Sequence, residues 1–505
     1  MSGNTKLSFF ISVLIAFSLL FCVSCDMEVG NFARVTEDAL QDGTLVMVYM
    51  AGANNLTKEI VWNINDMEYG LYEADKETRL NLHVVALCDQ LDPYYDNLDG
   101  EDSTWSGTRL YEIQPGAFYK TSISSNIEST LIKTASSSLG IWRTSSEQEE
   151  DMGNIETLKN FIYWARETYP YCSKQVLILW DHGAGISSTY SYTDSLNASV
   201  RNVCVDDETE GDPDSFGTTL YIDEIQQLLE TIYSEDNKLE LIGFDACYMG
   251  LYEVAYEFRN VAKYMAASPA SETGGWAYDY IFAQSDTCSS GKNFAINVVD
   301  GYYTKYHEKK EYKDNMTAFD LSYISSLKTE IDGLAGYLYE WITLGNVNTR
   351  AKTIRDGIAS DVVFMTAGAT VSNLYKYYPY YELGSMLEYF EGVSSSAQDF
   401  GTDVQNQVSA VKSAMQNVVI KAWLSENYGS KYDANLAYGM GIFCASTKYS
   451  DSYDSTYGFY TDSPYTEAGV LGYGGIDAAN FGTVPGIVDT WREFMLYMYS
   501  NSPIF

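Results

Sequence analysis

Basic charge is scarce in this chain of 505 residues: 31 Lys and Arg stand against 69 Asp and Glu, for a formal net charge of -38. The acidic excess runs along the whole chain, and a surface so negative repels phosphate backbones, which argues against a nucleic-acid partner. A solvated, aggregation-resistant surface accounts for most of that charge, and the same field would also gather basic polypeptides. Long apolar runs are scarce too. The run from Leu7 to Phe21 is too short to span a bilayer, is preceded by the single charge of Lys6 and is followed by small residues, the layout of an export signal. It closes on Val23-Ser24-Cys25, as a bacterial lipobox does, although Cys22 stands where that motif carries Leu. Cys25 is therefore a candidate lipidation site that would anchor an exported protein to the membrane, with simple cleavage and release as the alternative. Closely spaced cysteines are missing beyond that point. Cys88, Cys172, Cys204, Cys247, Cys288 and Cys444 are widely and irregularly placed, which excludes a disulfide framework and a thiolate metal site. No repeat of fixed period is present either.

What the chain does have is alternation. Apolar strands are predicted at 44–50, 82–88, 175–180 and 239–244, with a fifth near 263–268. Between them the apolar residues switch to helical spacing. Leu56, Ile60, Ile64 and Met67 follow the first strand, and Leu158, Phe161, Ile162 and Ala165, capped by Asn154, precede the third. Ile225, Leu228, Leu229 and Ile232 precede the fourth strand, and Leu251, Val254, Ala255 and Phe258 follow it. This alternation predicts a mostly parallel α/β sheet with helices on both faces. The stretch 91–150 is rich in Ser, Thr, Asp and Gly and reads as an insertion beside the sheet, with one strand at 108–113. Beyond about residue 310 the pattern becomes mixed: helices at 322–342 and 404–424, a strand at 438–446, a Tyr-rich loop at 447–478 and a closing helix. With 44 tyrosines in the chain, that loop is a candidate glycan or peptide contact, and amphipathic packing is the simpler reading.

Two segments carry the chemistry. LILWDHGAG (177–185) and LIGFDACYMG (241–250) are apolar strands bounded by Gly that end on His182 and Cys247. Reactive groups on parallel sheets gather at the carboxyl ends of the strands, where an imidazole can activate a thiol. Cys247 also precedes a helix expected to start near Met249, whose free N–H groups would favour the thiolate. Side chains two apart on an extended segment share a side, so Asp245 is expected beside Cys247, and Asp181 turns away from His182. Asp245 could pair with a basic substrate side chain or hydrogen-bond its own loop.

His-Gly after one strand, with Asp-Ala-Cys after the next, resembles the clostripain family of cysteine peptidases, within the caspase, legumain and gingipain fold group. The likeness extends in the family's order to TLVMVYMAGANNL (44–56), NIETLKNFIYWA (154–165), YIDEIQQLL (221–229) and ASPASETGGW (267–276), and more loosely to the carboxyl-terminal half. It implies a caspase-like α/β fold in which Cys247 attacks the peptide carbonyl and His182 protonates the leaving amine. It further implies that the N–H groups of Gly183 and Cys247 hold the oxyanion, and that Asp245 selects Arg or Lys before the cleaved bond, with Glu272 and Trp276 as further pocket candidates. Activation by internal cleavage between the His and Cys blocks is also implied. Only Arg201 and Lys238 are basic there, and Arg201 lies in a polar loop of the kind proteases nick, which makes it the candidate processing site.

No cofactor or metal is expected. The acidic stretch 206–214 could attract calcium, but Gly217 stands where an EF-hand needs Glu, and a solvated loop is the simpler reading. The expected organisation is a signal segment at 1–25, a catalytic domain at 26–310 and a carboxyl-terminal region at 311–505. The competing reading from another class is a surface binding protein that keeps the fold without hydrolysis; the presence of both His182 and Cys247 weighs against it.

Overall fold

All nine residues of the first strand, Thr44–Gly52 (β1), are buried, as happens only where a strand is covered on both faces. Its side chains alternate between two cores: Leu45, Met47, Tyr49 and Ala51 enter one, Val46, Val48 and Met50 the other. The computed structural model describes residues 43–74, 81–90, 107–117, 127–132, 150–186, 202–207, 217–285, 288–309, 314–365, 380–392, 399–444 and, near the carboxyl end, 491, 494, 495, 497 and 498.

The remaining strands are Leu82–Gln90 (β2), Gly107–Glu112 (β3), Thr130–Leu131 (β4), Lys174–Trp180 (β5), Asn202–Asp206 (β6), Thr218–Tyr221 (β7), Leu239–Asp245 (β8), Ala262–Ala267 (β9), Asn315–Asp320 (β10), Tyr380–Glu382 (β11), Val419–Leu424 (β12), Lys431–Asp433 (β13) and Gly441–Phe443 (β14). Among the described residues, ten of these form one sheet in the order β13-β12-β10-β9-β8-β5-β1-β2-β3-β4. Pairing is parallel from β9 through β8, β5 and β1 to β2, and antiparallel on both flanks. The helix Thr57–Glu73 seals one face with Ile60, Ile64 and Met67, beside the helices Tyr278–Ala283 and Gly291–Tyr306. The helices Ile155–Thr168 and Ile222–Ile232 seal the other. Asn154 starts the first of this pair by accepting the Glu156 N–H at 3.0 Å, a cap that stabilises a helix by about 1 kcal/mol.

All five expected strands are present. Three details differ. The strand expected at 108–113 lies within the sheet, antiparallel to β2 with Cys88 opposite Arg109, and not beside it. The helix expected at 404–424 ends at Val418, because the β-branched run Val418-Val419-Ile420 gives way to β12, which pairs with β10. The sheet therefore continues past residue 310, with β10, β12 and β13 completing its flank. The helix expected near Met249 begins only at Tyr252.

The chain runs from β1 to β2 on one side, then crosses to β5 on the other. Strand order thus reverses between β1 and β5, and the crevice outside the carboxyl ends of strands at such a point is where open α/β sheets hold ligands.

Candidate active site

β5 and β8 are parallel neighbours with Trp180 opposite Asp245, and the Asp181 N–H extends the pairing by donating to the Asp245 carbonyl at 3.2 Å. Carried two residues further, the same register sets His182 opposite Cys247. Gly183 shows how closely the segments run: a Cβ there would lie 2.4 Å from the Cys247 carbonyl oxygen and 3.2 Å from its nitrogen. Only a residue without a side chain fits between them.

The turn after Cys247 is held by backbone rather than by a helix. Tyr248 adopts a φ of 61°, a left-handed conformation that costs a non-glycine residue about 1–3 kcal/mol. Its N–H donates to the Ala270 carbonyl at 2.9 Å, and the Gly250 N–H to that of Ser268 at 2.7 Å. The segment 268–272 so fastened brings the Glu272 N–H to 3.2 Å from the Cys247 sulfur. Burial pushes the thiol up to about 12, and the charge of Glu272, then those of Asp245 and Asp181, push the same way. Burial also lowers His182 to about 4, with its Nε2 lying 2.6 Å from Asn55 Oδ1. The helix expected to favour the thiolate starts too late to reach the sulfur, and burial first, then the nearby acids, favours the neutral thiol.

Asp245 is buried, 4% exposed, and accepts the Trp276 N–H at 3.2 Å and the Tyr278 hydroxyl at 2.8 Å. Glu272 adjoins it. Protonated, its O–H reaches the Asp245 carboxylate. Burial, followed by the charge of Asp245, raises Glu272 far above the carboxylate range, and burial raises Asp245 to about 6. A third carboxylate, Asp314, accepts the Thr273 N–H at 2.9 Å and the Tyr302 hydroxyl at 3.2 Å, and its Oδ2 is without a donor. Beside the thiol, then, lies a buried nest of acids, with Lys305 near Asp245 and Lys309 near Asp314 as its positive charges. Trp276 contributes only its N–H: its ring is fully buried in the core under Gly243, not in a pocket.

A family model described as the clostripain family, peptidase C11, matches residues 48–473. The chain belongs to the clostripain family. Clostripain of Hathewaya histolytica is 26% identical over 498 residues, covering 89% of this chain and 86% of its own. Among solved structures, an inactive zymogen C11 protease from Parabacteroides distasonis superposes with a TM-score of 0.53 at 17% identity, covering 84% of this chain and 96% of its own. A secreted C11 cysteine protease from Bacteroides thetaiotaomicron, in complex with an irreversible peptide inhibitor, gives 0.50 at 16% identity, covering 85% and 99%. At those identities the two structures speak for the fold alone, a caspase-like one. As a clostripain-family member the protein is a cysteine peptidase acting on polypeptides.

Both halves of this clostripain-family chain build the site. The Tyr380 hydroxyl, on β11, donates to the Ala184 carbonyl at 2.7 Å, and the Gly441 N–H, on β14, to that of Gly250 at 3.0 Å. The loops after β5 and β8 are each clasped from the carboxyl-terminal region. Asp181, expected to turn away from His182, accepts the His182 backbone N–H, the Val205 N–H and the Asn54 amide at 2.8 Å. Lys238 is pinned, its Nζ donating to the Arg259 carbonyl at 2.9 Å and paired with Glu235 at 2.9 Å. Arg201, Cys25, most of 206–214 and the Tyr-rich loop lie outside the described residues. Among the described residues no group of three or more His, Cys, Asp or Glu is placed to hold a metal ion. Sequence reasoning missed Asp314 and Tyr278, which reach the site from segments without a recognisable motif.

Proposed function

We propose that the protein is an exported endopeptidase that cleaves after Arg or Lys, with Cys247 as nucleophile and His182 as general acid and base. What supports the reading is the register of β5 and β8, which pairs Trp180 with Asp245 and, carried two residues on, would set His182 opposite Cys247, near three buried carboxylates. The sulfur attacks the substrate carbonyl carbon, His182 takes the thiol proton and returns it to the departing amine, and the N–H groups of Gly183 and Cys247 hold the oxyanion. A basic side chain entering beside Asp245 and Glu272 expels their shared proton and pairs with the charge left behind. It also offsets the part of the thiol's raised pKa that comes from these acids, so the correct substrate makes the thiol proton easier to remove.

Fluorogenic peptides ending in Arg, Lys, Asp or Leu, offered to wild type and Cys247→Ala, test this. Cleavage of the Arg and Lys peptides by wild type alone is expected; equal cleavage of the Leu peptide rules out the pocket, and a working Cys247→Ala rules out the nucleophile. The same preference makes Arg201 the point of self-cleavage, since Lys238 is pinned beside β8. Amino-terminal sequencing should find a new terminus at Asn202 in wild type and none in Cys247→Ala. Export with a lipid on Cys25 follows from the short apolar run and its Val-Ser-Cys end; mass spectrometry finding an unmodified terminus elsewhere would reject it.

A further inference from the structure

We propose that Asn55 is a third member of the site, a positioning residue that fixes the ring and the tautomer of His182. The inference rests on reading His182 as the proton-transfer group. Asn55 follows the end of β1, the strand beside β5, at the switch point of the sheet. The backbone there is locked by its neighbour: the Asn54 amide donates to Ala51 O at 3.2 Å, Asp181 Oδ1 at 2.8 Å and Val205 O at 2.9 Å, and Asn54 Oδ1 accepts the Leu56 N–H at 2.8 Å. Asn54 thus ties the segment carrying Asn55 to the residue preceding His182. From this fixed base Asn55 Oδ1 stands 2.6 Å from His182 Nε2.

An amide oxygen only accepts, so the contact requires the proton on Nε2. The neutral ring then keeps its lone pair on Nδ1. In acylation Nδ1 takes the Cys247 thiol proton as the S–C bond forms and gives it to the leaving nitrogen as the C–N bond breaks, while the Nε2 proton stays with Asn55. An uncharged acceptor orients the ring without stabilising its cation, so the proton is not held back. Asn55 is exposed, so its replacement leaves the cores untouched.

The test compares Asn55→Leu, Asn55→Asp and His182→Ala with wild type, using an Arg peptide across pH and recording melting temperatures. Asn55→Leu should lower kcat on the order of 10²-fold, within the range a positioned acid-base group contributes, with KM and melting temperature little changed. Asn55→Asp keeps an acceptor and should recover most of that loss, while moving the acid limb of the pH profile upward, because a carboxylate stabilises the imidazolium and the base is active only when neutral. Near-wild-type kcat in Asn55→Leu, or equal losses in both Asn55 variants with unmoved pH profiles, would overturn the role. An inactive His182→Ala beside an intact Asn55→Leu sinks this inference alone; an active His182→Ala sinks the dyad and the inference together.

Discussion

Asp181 and Asp245 close neighbouring strands, are each 4% exposed and have carboxyls raised by burial, yet their partners differ in kind. Asp181 faces an amide and two backbone N–H groups, those of Val205 and His182, and through the amide and the Val205 N–H ties β5 to β6 and to the end of β1. Asp245 faces an N–H and a hydroxyl too, but also a second carboxyl, Glu272, with Asp314 adding to the negative field. Dipoles can satisfy one buried acid and leave it as a clamp. Crowding acids together creates a demand for positive charge that Lys305, donating to the Gly275 and Trp276 carbonyls, meets in part, and here that demand is beside a thiol.

The comparison can be broken most severely at what both acids flank. Cys247→Ala should abolish peptidase activity and His182→Ala should cost about 10²–10⁴-fold, both with the fold retained, since the cores lie behind the strand ends; residual turnover in Cys247→Ala would mean a different nucleophile. Exchanging the acids sharpens the contrast. Asp245→Asn should lose about 2–5 kcal/mol of transition-state binding for Arg peptides, the range for truncating one partner of a buried charged pair. Alkylation of Cys247 by a neutral reagent should meanwhile quicken, because one charge holding the thiol up is gone. Asp181→Asn should do the reverse, costing about 1–3 kcal/mol of folding stability by denaturant titration while leaving the preference for Arg over Leu unchanged. The smallest effect is in pH. As pH falls through about 6, Asp245 gains a proton, the pocket loses negative charge and KM for Arg peptides should rise severalfold. Asp245→Asn should show no such limb. Thiol alkylation, governed by a group raised to about 12, should only slow as pH falls.

How much of this was legible follows from where the signals lie. Strands buried on both faces write themselves as unbroken apolar runs, so the five parallel strands were readable residue by residue. Val418 through Trp423 was not. Its apolar residues continue the helical spacing of Val411 and Met415, and the change of period shows only in three consecutive β-branched side chains. The turn at Tyr248 also escaped, because a tyrosine in a left-handed conformation breaks no local rule that sequence displays. Glu272 was singled out through family likeness, but its closeness to Asp245, and the arrival of Asp314 and Tyr278, come from long-range packing that periodicity does not encode. The motif announced a thiol and a base. Only the assembled loops show that Asp245 and Glu272, the acids proposed to draw the substrate, also lie near the thiol.

The line between β5 and β8 divides the sheet into two blocks of five strands, β5-β1-β2-β3-β4 and β13-β12-β10-β9-β8. Every strand of the first block precedes residue 187, and every strand of the second follows residue 217. A single cut between them would make a split protein whose seam runs through its own chemistry, with His182 contributed by one piece and Cys247 by the other. Each piece alone would bare a seven-residue apolar edge, the kind that aggregates, so the halves should fold only when produced together. Once nicked, the enzyme obeys mass action. Heating should inactivate the two-chain form at a temperature that falls on dilution, whereas the melting point of the uncut chain stays independent of concentration.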